Sequence, residues 1–394
     1  MSTDETERTA VLDELQLLDS PREERFDRVV RLAQHIFGVP FAGVNLISDD
    51  RHYTKAAAGG GHGFPEPSSS LPLSDSLCAI TVQDDRTLEI PDLRGDEAWA
   101  DHPVAQGGTV GYYAGAPLRA PGGQRIGSLC LMDVVPRREL SVGEHAMLRD
   151  LAGWLERELA ASADLQQGAE LQRRLLPRGM PDLPGWDVAG RCVQAGAVGG
   201  DFYDWQLLPR LGQVQVLLAD VMGKGIQAAL VASGVRAIIR GTSPHNTLTA
   251  SMRRVADDME ADLGEISSFV TMFVARFDPS DGAAEYVDAG HGLAFVVGPD
   301  RSVRLSSDGL PVGALPGERW DPRDERIGPG EALVIVSDGM LDVHGDADGV
   351  LTAARAALEK TSNADELVEL LLAGAVGHLT TDDVTVVVAR RSAG

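Results

Sequence analysis

Residues 197–205 read AVGGDFYDW. Two glycines precede a carboxylate, and two aromatic residues separate it from a second one. The run makes sense if Asp201 belongs to a group of carboxylates that folding brings together, and the same half of the chain supplies candidates. Asp220 ends VQVLLAD (214–220) and precedes VMGKG. Asp338 ends ALVIVSD (332–338) and precedes Gly339. Asp382 and Asp383 stand directly before VTVVVAR (384–390). Each lies at the edge of an apolar run, and all but Asp220, which is three residues before Gly223, stand beside a glycine or another acid. Strand edges of this kind can meet at one rim of a packed sheet, where carboxylates repel one another until cations neutralise them. Hard oxygen donors favour Mg²⁺ or Mn²⁺, and two such ions together can activate a water and clamp a phosphoryl oxygen. One aspartate in such a place is ordinarily a turn or cap residue; the repeated setting is what points to a site.

Outward from these runs, the C-terminal half has strands in groups and helices in groups. Strands are expected at 214–221, 268–278, 283–290, 295–298, 331–339 and 383–391, and helices at 225–241, 246–263, 349–360 and 364–379. That pattern predicts antiparallel sheets covered by helices, an α+β layered fold. In the N-terminal half, Leu12, Leu15, Leu18, Val29, Leu32 and Ile36 recur at helical spacing through 8–37, broken at Ser20-Pro21. A strand at 41–48 is followed by a glycine-rich loop, AAAGGGHGF (56–64). Further strands are expected at 88–92, 114–120 and 125–134, the last two joined by the turn APGGQ. A helix starts at Ser141, with Glu144 as its capping-box partner. It carries the stripe Leu148, Leu151, Leu155, Leu159 and runs on to Pro177, weakened at Gly168. Residues 144–176 thus read as a connector, either the passive end of the first domain or a signalling helix that also dimerises.

Composition narrows the function. A chain of 394 residues predicts two domains. With 59 acidic against 35 basic side chains the formal net charge is -24, so phosphate backbones and anionic membrane surfaces repel it; neither nucleic acid nor membrane is expected as a partner. Cys78, Cys130 and Cys192 are far apart in sequence with no CxxC pair, which predicts a reducing compartment and neither a disulfide framework nor a structural zinc. The acidic N-terminus lacks the basic-then-apolar order of a signal peptide. No stretch approaches the ~18 apolar residues of a membrane span. A cytoplasmic protein is expected.

The C-terminal motifs LQRRLLP (171–177), VGGDFYD (198–204), ADVMGKGIQAAL (219–230), SSFVTMFVARFD (267–278), YVDAGHG (286–292), GLPVGALP (309–316), LVIVSDGM (333–340) and DDVTVVV (382–388) resemble, in order, the SpoIIE-type branch of the metal-dependent protein phosphatases (PPM family). The resemblance implies a layered αββα domain in which Asp201, Asp220, Asp338 and Asp382 are the catalytic aspartates. They would hold two Mn²⁺ or Mg²⁺ ions, helped by the Val221 carbonyl, with Asp383 able to take the place of Asp382. The reaction implied is hydrolysis of phosphoserine or phosphothreonine by a metal-activated water, without a covalent phosphoenzyme. Two departures stand out: Ala197 where this branch often has glutamate, and Gly292-Leu293 where AGHPP is common. Lys224 reads as a loop lysine, His291 as structural and Cys192 as a small buried residue. A nucleotide-cyclase reading of GGDF fails, since that signature needs two acids after the glycines.

The front half, through FDRVVRLAQHIFGVPFAGVNLIS (26–48), SLCAITV (76–82), LEIPDLRGDEAWADHPV (88–104), YYAGAPLRAPGGQRIGSLCLMD (112–133) and the helix after SVGEH, resembles a GAF domain. That implies a PAS-like antiparallel sheet, often with a small-molecule pocket; the ligand is unknown. Cys78 reads as a small buried residue in a helix, and His52, His62 and His102 as scattered loop residues. The organisation expected is a GAF-like sensor at 8–160, a helical connector at 144–176 and a phosphatase domain at 177–394. Two functions stay open. One is a sensor-regulated, homodimeric phosphatase acting on a STAS-type anti-sigma-factor antagonist in bacterial partner switching. The other is a non-catalytic phosphoprotein-binding or scaffold module.

Overall fold

The structure, a computed structural model, describes residues 3–59, 63–177, 179, 183–306, 309–374 and 382–393. The chain divides into two compact units, Met1–Asp164 and Leu165–Gly394. The first contains α1 (Thr3–Glu14), α2 (Glu24–Phe37), β1 (Phe41–Ile47), β2 (Arg51–Ala58), β3 (Ser70–Pro72), α3 (Leu77–Thr81), β4 (Leu88–Ile90), α4 (Pro103–Gln106), β5 (Tyr112–Arg119), β6 (Arg125–Asp133) and the start of α5 (Val142–Leu175). Its sheet is antiparallel, in the order β3-β2-β1-β6-β5-β4. Phe26, Val29, Val30, Ala33 and Phe37 form the buried face of α2, and Leu148, Leu151, Leu155 and Leu159 of α5 close the same core. The leucine stripe is therefore spent inside this unit. β2 corrects the expected loop: Ala56–Ala58 pair with β1, because cross-strand packing overrides the weak strand preference of alanine.

The helix α5 begins with the expected capping box. The Ser141 amide donates to Glu144 Oε2 at 2.7 Å and the Glu144 amide to Ser141 Oγ at 3.3 Å. It runs unbroken through Gly168 for 34 residues.

The second unit contains β7 (Trp186–Val193), β8 (Phe202–Leu208), β9 (Gln213–Val221), α6 (Ile226–Thr242), α7 (Leu248–Ile266), β10 (Val270–Phe277), β11 (Ala283–Ala289), β12 (Ala294–Val297), β13 (Ser302–Leu305), β14 (Arg323–Arg326), β15 (Ala332–Val336), α8 (Gly339–His344), α9 (Ala347–Lys360), α10 (Ala364–Leu372) and β16 (Val384–Arg391). Two five-stranded sheets, β14-β11-β10-β9-β8 and β13-β12-β15-β16-β7, are each antiparallel. Val214, Val216 and Leu218 of β9 pack with Phe273, Ile335 and Val387 between the sheets. The alternate residues Leu217, Ala219 and Val221 pack under α6 and α7, while α8, α9 and α10 cover the other sheet. This is the αββα layering that the resemblance implies. With both faces buried, these strands read as continuous apolar runs. The strands not anticipated, β7, β8, β13 and β14, are the four edges of the two sheets, where polar residues such as Asp187, Arg191, Asp204, Gln206, Arg304 and Asp324 break the apolar pattern. Residues 375–379 of the expected last helix lie outside the described residues, as does His62. Among the described residues no helix is long and apolar enough to cross a membrane.

Leu155 is 1% exposed in the first core, whereas Leu171, on the same helix, is 63% exposed. Leu155→Ala is expected to cost about 2–5 kcal/mol and Leu171→Ala less than about 0.5 kcal/mol, measured from the shift of urea-unfolding midpoints of the full chain.

Candidate functional site

Strand register places the aspartates. Phe202 pairs with Ala219, so the next step along the ladder sets Asp201 across from Asp220. In the other sheet Val336 pairs with Val386. Just beyond, the Ser337 amide donates to the Thr385 carbonyl at 2.9 Å and the Thr385 amide to Ser337 Oγ at 2.8 Å. The Thr385 hydroxyl then donates to Asp201 Oδ2 at 2.5 Å. That bond ties the rims of the two sheets together at the point where Asp338 leaves β15 and Asp382-Asp383 enter β16.

The paired glycines of the opening stretch now have a reason. A Cβ on Gly199 would overlap Asp383 Oδ2, and a Cβ on Gly200 would stand 2.7 Å from the Val221 carbonyl oxygen. Asp201 is preceded by glycines because a carboxylate and a carbonyl from two other segments occupy the space that side chains would need. Gly339, after Asp338, likewise leaves room for the Asp383 carbonyl. Asp383 Oδ1 accepts from the Ala195 amide at 2.8 Å. Asp382 turns the other way: its Oδ2 lies 3.3 Å from Lys224 Nζ. Lys224 is carried between Gly223, at φ +110°, and Gly225, a turn that side chains larger than glycine rarely adopt. The second aspartate of the opening stretch is not part of this group. Asp204, 2% exposed, pairs with Arg240 Nη1 at 2.5 Å and lies 3.6 Å from Arg236 Nε, fastening the edge strand β8 to α6.

The carboxylates interact strongly. Asp201 is 3% exposed; burial first, then the Asp220 charge, hold its proton affinity well above the usual carboxylate range. Asp220, half-buried, is pushed up to about 7 by burial and by the charges of Asp338, Asp382 and Asp383. Asp338, at the rim, is raised by partial burial and by Asp382. Among the described residues, no three His, Cys, Asp or Glu side chains stand as a closed ion-holding cluster. Asp201 leans to Thr385, Asp382 to Lys224 and Asp383 to the Ala195 amide. The donor set is nevertheless one of hard oxygens, suited to a small divalent cation. Cys192, on edge strand β7, is half-buried rather than buried, and burial together with Asp201 pushes its thiol up, so it brings no thiolate. His291 is held neutral, its pKa pushed down to about 4 by burial. Its backbone amide donates to Asp288 Oδ1 at 2.7 Å, and the Gly292 amide reaches the same carboxylate at 3.1 Å. Asp288, Ser337 and Thr385 escaped the sequence reading. The signal was there in the last two, which are hydroxyls in otherwise apolar strands; each is fully buried and hydrogen-bonded.

In the first unit a cavity of about 190 Å³ is lined by His52, Leu71, Ser76, Cys78, Val110 and Met132, among others. Burial pushes the His52 pKa down to about 4, and its Nδ1 lies 2.7 Å from Ser76 Oγ. His102 caps α4, accepting from the Val104 amide at 3.2 Å. Cys78 is buried in α3. Although distant from Cys130 in sequence, it shares a hydrogen-bond partner with it: Asn45 Nδ2 reaches Cys130 Sγ at 3.0 Å and Cys78 Sγ at 3.4 Å. Both thiols are free.

Comparison with known proteins divides the chain in the same way. Residues 21–159 match the GAF domain family, and residues 211–392 match the family described as Stage II sporulation protein E (SpoIIE). The phosphoserine phosphatase RsbU of Bacillus subtilis is 26% identical over 219 residues, 54% of this chain and 62% of that protein. Protein IcfG of Synechocystis sp. is 26% identical over 264 residues, 58% of this chain and 42% of that protein. The chain thus spans less than two thirds of either relative. The SiaA-PP2C domain of Pseudomonas aeruginosa, 19% identical, superimposes with a TM-score of 0.50 over 60% of this chain and 98% of that domain, a likeness of fold. The chain therefore carries a GAF domain followed by a SpoIIE-type domain of the metal-dependent protein phosphatase family.

Proposed function

We propose that the second unit hydrolyses phosphoserine or phosphothreonine esters of a protein substrate. Asp201, Asp220, Asp338, Asp382 and the Val221 carbonyl would be the oxygen donors of a two-cation Mn²⁺ or Mg²⁺ centre. The observation that carries this reading is geometric: the strand register, the Thr385–Asp201 bond and the seating of Asp383 against Gly199 bring Asp201, Asp220, Asp338, Asp382 and Asp383 to one rim of the sandwich. When bound, the cations neutralise that repulsion, polarise the phosphoryl oxygens and lower the pKa of a water. The protein's own part is positional. Thr385 orients Asp201 through its hydroxyl. Asp383, held by the Ala195 amide and seated against Gly199, supports the loop, leaving Asp382 as the rim donor. Lys224 offsets the Asp382 charge. The similarity to RsbU supports a phosphoserine substrate. Its carrier, on this reading, is a STAS-type anti-sigma-factor antagonist in a bacterial partner-switching pathway. The GAF unit acts as the sensor, its cavity taking a small molecule, in a cytoplasmic homodimer.

The rival scaffold reading is separated by turnover. With Mn²⁺, the full chain is expected to hydrolyse 4-nitrophenyl phosphate and phosphoserine peptides, and chelator should abolish the reaction. Asp220→Asn or Asp338→Asn should cost about two to three orders of magnitude in rate. No turnover by the parent protein under any divalent cation would leave the scaffold reading standing.

Stability should register the same centre. The Asp220 pKa rises from an ordinary 3.8 to about 7 in the fold, so its proton stabilises the native state at low pH. That contribution is fully present below about 4 and is lost as pH rises through about 7. In chelator, the melting temperature of the parent relative to Asp220→Asn should fall across that window; taking the difference cancels groups such as His52 and His291. Mn²⁺ at pH 7.5 should raise the parent's melting temperature and leave the variant's nearly unmoved. Differential scanning calorimetry measures both.

A further inference from the structure

One buried polar side chain of α5 reaches the loop that carries Asp201. Gln172 is 9% exposed. Its Nε2 donates to the Gly199 carbonyl at 2.7 Å, and its Oε1 accepts from the Gly199 amide at 3.1 Å. The Gln194 amide lies 2.8 Å from the same Oε1. A single side-chain amide thus holds both backbone groups of one residue, a two-point grip that fixes the peptide in position and orientation. The gripped residue is the glycine whose open Cα face receives the Asp383 carboxylate, two residues before Asp201. Its neighbours on α5 are spaced to face the same way: Gly168, where an added Cβ would stand 3.7 Å from Val198 Cγ1, and Ala169, which is buried; Leu176, the first residue past the helix, packs against both cores of the unit.

We propose that Gln172 is a positioning residue for the cation centre, setting the Gly199-Gly200-Asp201 loop against Asp383 and the Val221 carbonyl. The inference rests on the reading of the centre given above. The geometry leaves α5 little freedom to move independently. A slide or turn of about 1 Å would stretch contacts of 2.7 and 3.1 Å beyond hydrogen-bond length, so either the grip breaks or the loop follows. If the loop follows, Asp201 moves relative to Thr385 and Asp220. If the grip breaks, a buried peptide group and a buried amide lose their partners. Either way the oxygen donors shift while the sheets stay packed. The N-terminal part of the same helix carries Leu148, Leu151, Leu155 and Leu159 in the first core.

The test uses the full chain and Mn²⁺ itself as the probe, with binding followed by the electron paramagnetic resonance signal of free Mn²⁺ and folding by melting in chelator. Gln172→Leu removes both hydrogen bonds; Gln172→Glu keeps the acceptor, loses the donor and carries the test if the leucine variant does not fold. Partners that orient metal ligands typically contribute 10–100-fold to affinity. The Mn²⁺ dissociation constant is expected to rise by about that factor in Gln172→Leu and by less in Gln172→Glu. Melting in chelator should fall by only a few degrees, the cost of leaving the Gly199 peptide groups unpaired, and turnover should recover at saturating Mn²⁺. Parental Mn²⁺ affinity in a folded Gln172 variant, alongside weakened binding in Asp220→Asn, would overturn the role of Gln172 and leave the centre in place. Parental binding in Asp220→Asn as well would overturn the centre, and this inference with it.

Discussion

Carboxylate repulsion at the rim where two sheets meet is the constraint around which the second unit is arranged. Asp201 is almost fully buried and Asp220 half-buried, within electrostatic reach of three more acids. Such a group is unfavourable in a protein interior. Without cations it relaxes by taking up protons and by local donors: the Thr385 hydroxyl, the Ala195 amide and the Lys224 ammonium. Each donor is carried by a different segment, so the strain is distributed over β16, the loop after β7 and the turn after β9. Only a stiff frame can hold like charges together in this way, and the sandwich supplies one, with β9, β10, β15 and β16 packed on both faces.

Glycine is the complement of that arrangement. At Gly199, Gly200 and Gly339 the missing Cβ is replaced by an atom from another segment, and each of those atoms belongs to Asp383 or Val221. The glycines beside the aspartates are therefore part of the site's geometry, as contact surfaces. Asp204 plays a separate role. Its ion pairs with Arg236 and Arg240 hold β8 against α6, the helix that starts directly after the Lys224 turn, so the loop with Asp201 and the turn after Asp220 are braced by one connection.

The first unit follows ordinary core logic, with an amphipathic α2 and the leucine stripe of α5 closing over an antiparallel sheet. Its polar interior is less ordinary. Asn45, Cys78, Cys130, Tyr113 and Thr81 are buried together and linked by hydrogen bonds, beside a cavity that Cys78 itself lines.

Much of this was legible in the sequence because it depends on local pattern. The doubly packed strands β9, β10, β15 and β16 announce themselves as apolar runs, α6, α7 and α9 by helical spacing, and the start of α5 by Ser141 and Glu144. The aspartates were visible because each ends or precedes such a run. What pattern could not carry is register and proximity. The edge strands β7, β8, β13 and β14 interrupt their apolar residues with polar ones and read as loops, and the alanines of β2 show no strand preference of their own. Cys192 sits on one of those edges, which is why it is half-exposed. Cys78 and Cys130 are distant in the chain and adjacent in space. That Asp383 seats against Gly199 while Asp382 faces Lys224, that Thr385 bonds Asp201, and that Gln172 grips Gly199 are all long-range contacts. The residue types and their local order determined the elements and the chemistry on offer. Only the stacking of one sheet on the other decided which oxygens meet, because hydrogen bonds and charge coupling act over a few ångströms and the chain brings such groups together only when it is folded.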